Sequence, residues 1–274
     1  MLSVTARPLE NHRASHHASS AAGVPRDQSV KQNNINHHVI MKSLVWISLT
    51  ALLAVSVSAA DTDAKTTVKT AAKALADKDN YSWSLTSKSE TGDPGQRMST
   101  VGKTEKSGLT QLTVTFGDRE VEVALKAGKV AVKQDSDWKT PDEMDERPAA
   151  MVRRYQTYKL PAAEVETLLE KAKELKAGAE GLYSGDLTDQ GVKDLLTRFR
   201  RPNTQAPDPK DVKGWLKFWV KDGALTKYEY NTQGKVTFGQ DQQEREVNRT
   251  TTIEIKDVGT TKLTVPDEAK KKVS

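Results

Sequence analysis

The segment that decides the fold is residues 112–132, LTVTFGDREVEVALKAGKVAV. Apolar residues alternate with threonine up to Phe116 and with glutamate after it. A period of two is typical of a β-strand with one buried face. Gly117-Asp118 and Lys126–Lys129 each turn the chain within a few residues, which only antiparallel neighbours allow. The segment therefore predicts an antiparallel meander.

The same alternation recurs on both sides of this meander, with glycine, proline, asparagine or aspartate at the breaks. Asn231–Gly234 is predicted to be a turn between two of the later strands, and Pro266 is predicted to end the sheet, because proline cannot donate to a ladder. The strands predicted outside the meander are 81–86, 98–106, 215–221, 224–230, 235–239, 247–256 and 262–265.

Three segments instead have the period of an α-helix, with apolar residues at i, i+3, i+4 and i+7. They are 66–78, a helix from Pro161 to a cap at Gly178, and a helix that follows Thr188 as N-cap. Three helices cannot cover both faces of so long a sheet, so the sheet must curl around them or expose apolar surface. The predicted fold class is α+β, a curved antiparallel half-barrel of roughly nine or ten strands wrapped over about three helices.

Residues 41–60 have the three parts of a secretory signal peptide. Met41-Lys42-Ser43 is the charged start, 44–57 is almost wholly apolar, and small residues follow up to Ala60. We expect cleavage between Ala60 and Asp61, or one residue earlier, and export to the periplasm or the medium. The alternative is an N-terminal anchor that is not cleaved.

Residues 1–40 lie upstream of this complete signal, and they are polar with little apolar periodicity. We interpret them as disordered and as the product of an over-long start assignment. The alternative is a metal-binding tail, since all five histidines lie before residue 41, but these are scattered rather than set at ligand spacing. Residues 61–274 are predicted to be one domain.

Residues 61–274 contain neither histidine nor cysteine. This composition excludes Ser/His and Cys/His nucleophile–base pairs, disulfides, lipid attachment to cysteine, and every zinc site that needs either residue. Residues 1–60 hold five of the 42 basic and two of the 37 acidic residues, which leaves a net charge of about +2 for 61–274. No basic run with interleaved aromatics is evident, so no nucleic-acid partner is predicted. No catalytic residue, metal or cofactor is assigned, and the protein is predicted not to be an enzyme.

With catalytic, metal and nucleic-acid sites excluded, the apolar strips on the strands are the remaining feature that could serve a function. A curled and incompletely filled sheet makes a pocket whose apolar walls favour an apolar ligand. The alternative is that the same strips pack a solid core. The candidate lining residues are Trp83, Leu85, Val114, Phe116, Val123, Leu125, Phe218, Val220, Ile253 and Ile255 on strands, with Leu168, Leu169 and Leu175 from a helix.

Three further stretches carry a family resemblance: 182–188 (LYSGDLT), 215–225 (WLKFWVKDGAL), and 252–259 (TIEIKDVG) with the closing 263–266 (LTVP). Together with the order of helix, meander, helix and strand-rich end, they resemble the LolA/LppX-like superfamily of envelope lipid and lipoprotein carriers. The resemblance implies a half-barrel over helices with a hydrophobic cavity between them. Many LppX-type members are lipoproteins, whereas this chain lacks the anchoring cysteine, so the soluble, LolA-like mode is expected.

The leading hypothesis is thus an exported, soluble, non-enzymatic carrier of a lipid or acylated lipoprotein, with no membrane anchor after processing. The alternative is an envelope interaction or sensor module of the same fold. In that case Trp215 and Trp219, which alternate with Leu216 and Phe218, bind a protein partner.

Overall fold

The computed structural model describes residues 57–91, 98–198, 207–238 and 243–274. The segment predicted to be disordered, 1–40, and most of the predicted signal peptide lie outside the described residues. The predicted cleavage site between Ala60 and Asp61 falls in the first helix, whose described backbone begins at Val57. Cleavage there stays a prediction.

The described strands form one open antiparallel sheet in the order β6-β5-β4-β3-β2-β1-β11-β10-β9-β8-β7. Strands that follow one another in sequence lie side by side, except β6 and β7, which form the two edges of the sheet; β1 also pairs with β11. The strands are β1 Asn80–Ser89, β2 Met98–Glu105, β3 Thr110–Phe116, β4 Arg119–Lys126, β5 Lys129–Gln134, β6 Asp137–Lys139, β7 Lys176–Ala177, β8 Leu182–Asp186, β9 Lys210–Lys221, β10 Ala224–Phe238 and β11 Gln243–Lys256.

Five α-helices lie in the described ranges: α1 Val57–Ala76, α2 Glu146–Val152, α3 Pro161–Glu170, α4 Asp189–Thr197 and α5 Asp267–Val273. The predicted start of α3 at Pro161 is confirmed, and so is the cap of α4, where the Thr188 hydroxyl accepts a hydrogen bond from the Gly191 amide. The fold class predicted from the sequence, an open curved antiparallel sheet with helices, is confirmed with eleven strands.

The sheet has an inner face and an outer face, which we define by their helices. The inner face packs against α1, α3 and α4, and its side chains join Val68 and Leu168 in one buried cluster. The outer face is covered at β4–β6 by α5, where Ala269 and Val273 bury Trp138 in a second, smaller cluster. Alternation along each strand assigns successive side chains to the two faces.

Trp83 lies at the centre of the inner face, on β1 between β2 and β11. Its cross-strand partners are Gly102 and Ile255. A Cβ atom on Gly102 would lie 2.1 Å from Cζ2 of the indole, so only glycine leaves room for this ring to lie across β2. The side chain is 1% exposed.

Three local predictions were wrong. Asn231–Gly234 is not a turn but part of β10, and Gly234 sits at a register shift, so the glycine serves a bulge rather than a chain reversal. Residues 262–265 form no strand. The sheet therefore ends at Lys256 rather than at Pro266, which directly precedes α5.

The third error concerns the end of α3, which was predicted at Gly178 and lies at Glu170. Ala172 and Leu175 are buried as the helical stripe requires, but they belong to the segment that leads into β7. Apolar spacing alone did not distinguish a longer helix from this buried connection.

Candidate ligand-binding face

Most of the predicted lining residues meet on the inner face. Eleven of the thirteen are 9% exposed or less and belong to one cluster: Trp83, Leu85, Val114, Val123, Leu125, Leu168, Leu169, Leu175, Phe218, Val220 and Ile253. Ile255 is partly buried and packs against the same cluster. Phe116 is 47% exposed, because it lies at the end of β3 where the chain turns, opposite Met98 and Arg119.

Cross-strand register arranges the inner face in rows that run across the sheet. One row is largely apolar: Phe218, Tyr228, Ile253, Leu85, Thr100 and Val114. A parallel row contains Trp83, Ile255, Gly102, Leu112 and Val123. These two rows form the wall that α1 and α3 face.

Towards the other end of the central strands, the inner face becomes polar. The next row is Leu216, Tyr230, Thr251, Ser87 and Met98, and the row after it is Gly214, Thr232, Arg249 and Ser89. The hydroxyls of Ser87 and Thr251 lie 3.5 Å apart, and both residues are buried. The inner face therefore changes from apolar to polar over two rows.

A carboxylate lies where the apolar and polar rows meet. Glu164, in the first turn of α3, accepts hydrogen bonds from the Tyr228 hydroxyl at 2.7 Å and the Tyr230 hydroxyl at 3.4 Å. Its side chain also pairs with Arg198, whose Nη1 lies 3.1 Å from Oε1. The carboxylate thus lies at the N-terminal end of a helix, where the backbone amides point towards it. We call Glu164, Arg198, Tyr228 and Tyr230 the Glu164 cluster.

Two arginines lie at this end of the inner face, one inside the Glu164 cluster and one beside it. Arg198 lies just after α4, and its guanidinium carbon is 5.9 Å from the centre of the Tyr230 ring. The pKa of Arg249 is lowered from its ordinary value, mainly by burial and then by the positive charge of Arg198. One carboxylate and two guanidinium groups thus lie at the polar end of the inner face.

The tyrosines of this region are held in the neutral form. Burial, and next the negative charge of Glu164, raise the pKa of Tyr230 to about 12. The same two causes raise the pKa of Tyr228 well above its ordinary value. Tyr158 accepts a hydrogen bond from the Trp83 indole nitrogen at 3.3 Å, and burial raises its pKa as well. These hydroxyls therefore act as neutral hydrogen-bonding groups.

Sequence reasoning missed the polar residues of this face. Tyr228 and Tyr230 were inside a predicted strand, and their two-residue spacing alone places both hydroxyls on one side. Glu164 lies four residues before Leu168, on the apolar stripe of the predicted helix, and a charged residue in that position is a readable signal. Arg198 and Arg249 give no such signal, because their proximity depends on the tertiary fold.

Trp215 and Trp219, the predicted partner-binding residues, lie on the outer face and are half-buried. The Nζ atom of Lys217 is 4.7 Å from the Trp215 ring centre, and that of Lys227 is 4.7 Å from the Trp219 ring centre. Among the described residues, each aromatic ring is therefore covered by an ammonium group and not by a second packed layer.

The densest carboxylate run, at residues 142–146, is a surface feature. Glu143 accepts from the Thr140 amide at 2.8 Å and pairs with Lys272, whose hydrogen bond lowers the pKa of Glu143 to about 2. In the described ranges, His, Cys, Asp and Glu residues form no group of three or more that could hold a metal ion. The part of the chain that the structure describes also contains no helix long and apolar enough to cross a membrane.

Comparison with solved structures finds proteins of similar architecture at low identity. The chain is similar to the lipoprotein LppX of Mycobacterium tuberculosis, with 10% identity and a TM-score of 0.43, over 75% of this chain and 100% of LppX. It is also similar to LprF from Mycobacterium bovis, with 11% identity and a TM-score of 0.38, over 76% of this chain and 98% of LprF. A LolA superfamily protein from Nitrosomonas europaea matches with 7% identity and a TM-score of 0.29, over 73% of this chain and 94% of that protein.

The resemblance predicted from the sequence is thus found again among solved structures, and it concerns the fold alone. No protein-family model matches the chain. No curated protein matches it either.

Proposed function

We propose that the protein is an exported, non-enzymatic carrier that binds a lipid or an acylated ligand against the inner face of its sheet. The observation that carries the proposal is the change of the inner face from apolar to polar rows. A molecule with an acyl chain and a polar end has the same two parts in the same order. Apolar walls with a few placed polar groups are the usual chemistry of a small-molecule site.

In this proposal the acyl chain lies along the rows that contain Trp83, Leu85, Phe218 and Ile253, between the sheet and helices α1 and α3. The polar end lies at the Glu164 cluster and Arg249. Guanidinium groups form charge-assisted hydrogen bonds with carboxylates and phosphates, so an acidic headgroup is favoured over a neutral one. The predicted export through residues 41–60 belongs to the same proposal, since it places such a carrier in the cell envelope.

Ligand uptake by the delipidated protein tests the proposal directly. We expect a fluorescent fatty-acyl probe with a carboxylate end to bind at micromolar concentration, and a matched probe with a neutral end to bind more weakly. Mass spectrometry of natively purified protein is expected to show a co-purifying lipid and an N-terminus at Asp61. A delipidated preparation that takes up neither probe contradicts the carrier and indicates a solid core.

A matched pair of arginine variants tests whether Arg249 binds the polar end of the ligand. Arg249→Gln is expected to weaken the acidic probe about tenfold, as loss of one charge-assisted hydrogen bond does, and to leave the neutral probe unchanged. Arg245→Gln, four residues away on the same strand and exposed, removes the same charge and is expected to change neither. Equal effects of the two variants contradict the assignment of the headgroup site.

A further inference from the structure

The outer face of β9 alternates lysine and tryptophan without interruption. Lys213, Trp215, Lys217, Trp219 and Lys221 all lie on this face, while Leu216, Phe218 and Val220 between them are buried in the inner cluster. At about 3.4 Å per residue, the five side chains form a row about 27 Å long. We call this row the lysine–tryptophan row.

The lysines of this row have carboxylates nearby but form no direct ion pair in the described part of the chain. Lys235 and, more weakly, Lys213 lower the pKa of Asp211, and Glu229 lies opposite Lys217 across the β9–β10 ladder. No carboxylate of the described residues lies within ion-pair distance of Lys213, Lys217 or Lys221. On the neighbouring strand β10, Lys227 pairs with Glu229 at 2.8 Å.

Positive charge also predominates around the row. The outer faces of β7–β10 carry seven lysines and three carboxylates, with Asp222 in the turn beyond: Lys176, Lys210, Lys213, Lys217, Lys221, Lys227 and Lys235 against Asp186, Asp211 and Glu229. A surface with this balance attracts anionic partners.

The described helices leave this part of the sheet uncovered. Helices α1, α3 and α4 pack on the inner face, and α5 covers the outer face only at β4–β6. The two indole rings are half-buried and lie beneath the ammonium groups of Lys217 and Lys227. The row is therefore both amphipathic and cationic on an accessible sheet face.

We propose that the outer face of β8–β10 docks on the surface of an anionic lipid bilayer through the lysine–tryptophan row. Indole rings are favoured at the boundary between headgroups and acyl chains, where one end is apolar and the other wet. Lysines beside them reach the lipid phosphates, and each adds about fivefold to the partition onto an anionic surface. The proposal goes beyond ligand carriage and does not depend on it, because the row lies on the face opposite the proposed ligand.

The geometry favours a bilayer over a single-stranded nucleic acid as the anionic partner. Bases bind proteins by stacking on open aromatic faces. Here the outward side of each ring is occupied by an ammonium group 4.7 Å from its centre. A flexible lysine can turn from the ring to a lipid phosphate as the indole enters the interface, so the same arrangement suits a membrane.

Vesicle flotation with the purified protein tests the proposal. We expect the protein to float with vesicles of phosphatidylcholine and phosphatidylglycerol, to stay behind with phosphatidylcholine alone, and to be released by high salt. The triple variant Lys213→Gln/Lys217→Gln/Lys221→Gln is expected to lower the partition about a hundredfold. The variant Trp215→Leu/Trp219→Leu is expected to lower it several-fold at unchanged charge.

The matched control removes three exposed lysines from α1 and its end, as Lys69→Gln/Lys73→Gln/Lys78→Gln. It has the same net charge as the triple variant and is expected to float like the unaltered protein. Equal loss in both triple variants, no binding to anionic vesicles, or tighter binding to oligothymidylate than to vesicles each overturns the proposal. Uptake of the acyl probe in every variant, with an unchanged unfolding midpoint in the lysine variants, shows that the folded carrier is intact, so failure of docking is distinct from failure of carriage.

Discussion

Two tryptophans on the same sheet have opposite surroundings. Trp83 is 1% exposed on the inner face, lies across Gly102, and donates its indole hydrogen to Tyr158. Trp219, on the outer face, is half-buried, and Lys227 covers its ring. Because strand residues alternate between faces, the same residue type is found in a buried environment on one face and a partly exposed one on the other. The inner residue contributes to the stability of the fold, and the outer residue is available for interaction.

Replacing each tryptophan by alanine is expected to give the largest difference in stability between the two faces. Trp83→Ala deletes a buried ring and is expected to lower the free energy of unfolding by about 3–5 kcal/mol. Trp219→Ala deletes a ring that is half-buried and in contact with solvent and Lys227, so the free energy of unfolding is expected to fall by about 1 kcal/mol. Urea denaturation of both variants measures the two values. Losses of similar size would show that the outer face is packed as tightly as the inner one.

Removing the Glu164 carboxylate from the polar part of the inner face is expected to have the next largest effect on stability. Glu164→Gln removes the charged acceptor of Tyr228 and Arg198, and a loss of about 1–3 kcal/mol in the free energy of unfolding is expected. Glu170→Gln, on an exposed position of the same helix, is expected to change it by less than about 0.5 kcal/mol. The two variants differ only in what the carboxylate touches. An unchanged stability of Glu164→Gln would mean that the Glu164 cluster is solvated rather than structural.

Alkaline pH gives the smallest expected effect. Tyr230 has a pKa of about 12 in the folded protein because burial and Glu164 disfavour its phenolate. An unfolded tyrosine ionises near pH 10, so the unfolded state loses its proton first and stability falls as the pH rises from about 10 to about 12. At pH 11 this single group accounts for about 1 kcal/mol. Tyr230→Phe is expected to flatten the pH dependence of unfolding over this range, and an unchanged slope contradicts it.

The sequence was sufficient to predict the sheet and its apolar face because both depend on local alternation. The strands around Trp83, Val123 and Phe218 were all visible as a period of two. Apolar spacing did not reveal the true end of α3 or the continuity of β10 through Gly234, because a glycine fits a bulge as well as a turn.

The polar site was less predictable than the apolar wall. Glu164 and Arg198 meet although 34 residues separate them, and Arg249 comes from a third element. A charge in a helix stripe can be read from sequence, but the partner that neutralises it depends on how the helices sit on the sheet. The lysine–tryptophan row was within reach of sequence reasoning, since it needs only the strand period applied to residues 213–221.

The pairing of β1 with β11 has a kinetic consequence. Strands β1–β6 and strands β7–β11 each pair with their neighbours in sequence, and a single ladder joins the two groups, with Ser82 opposite Lys256 across 174 residues. Contacts between segments so distant in sequence form slowly, because the intervening chain must first be ordered. We therefore expect the β1–β11 ladder, which completes the inner face, to form late in folding.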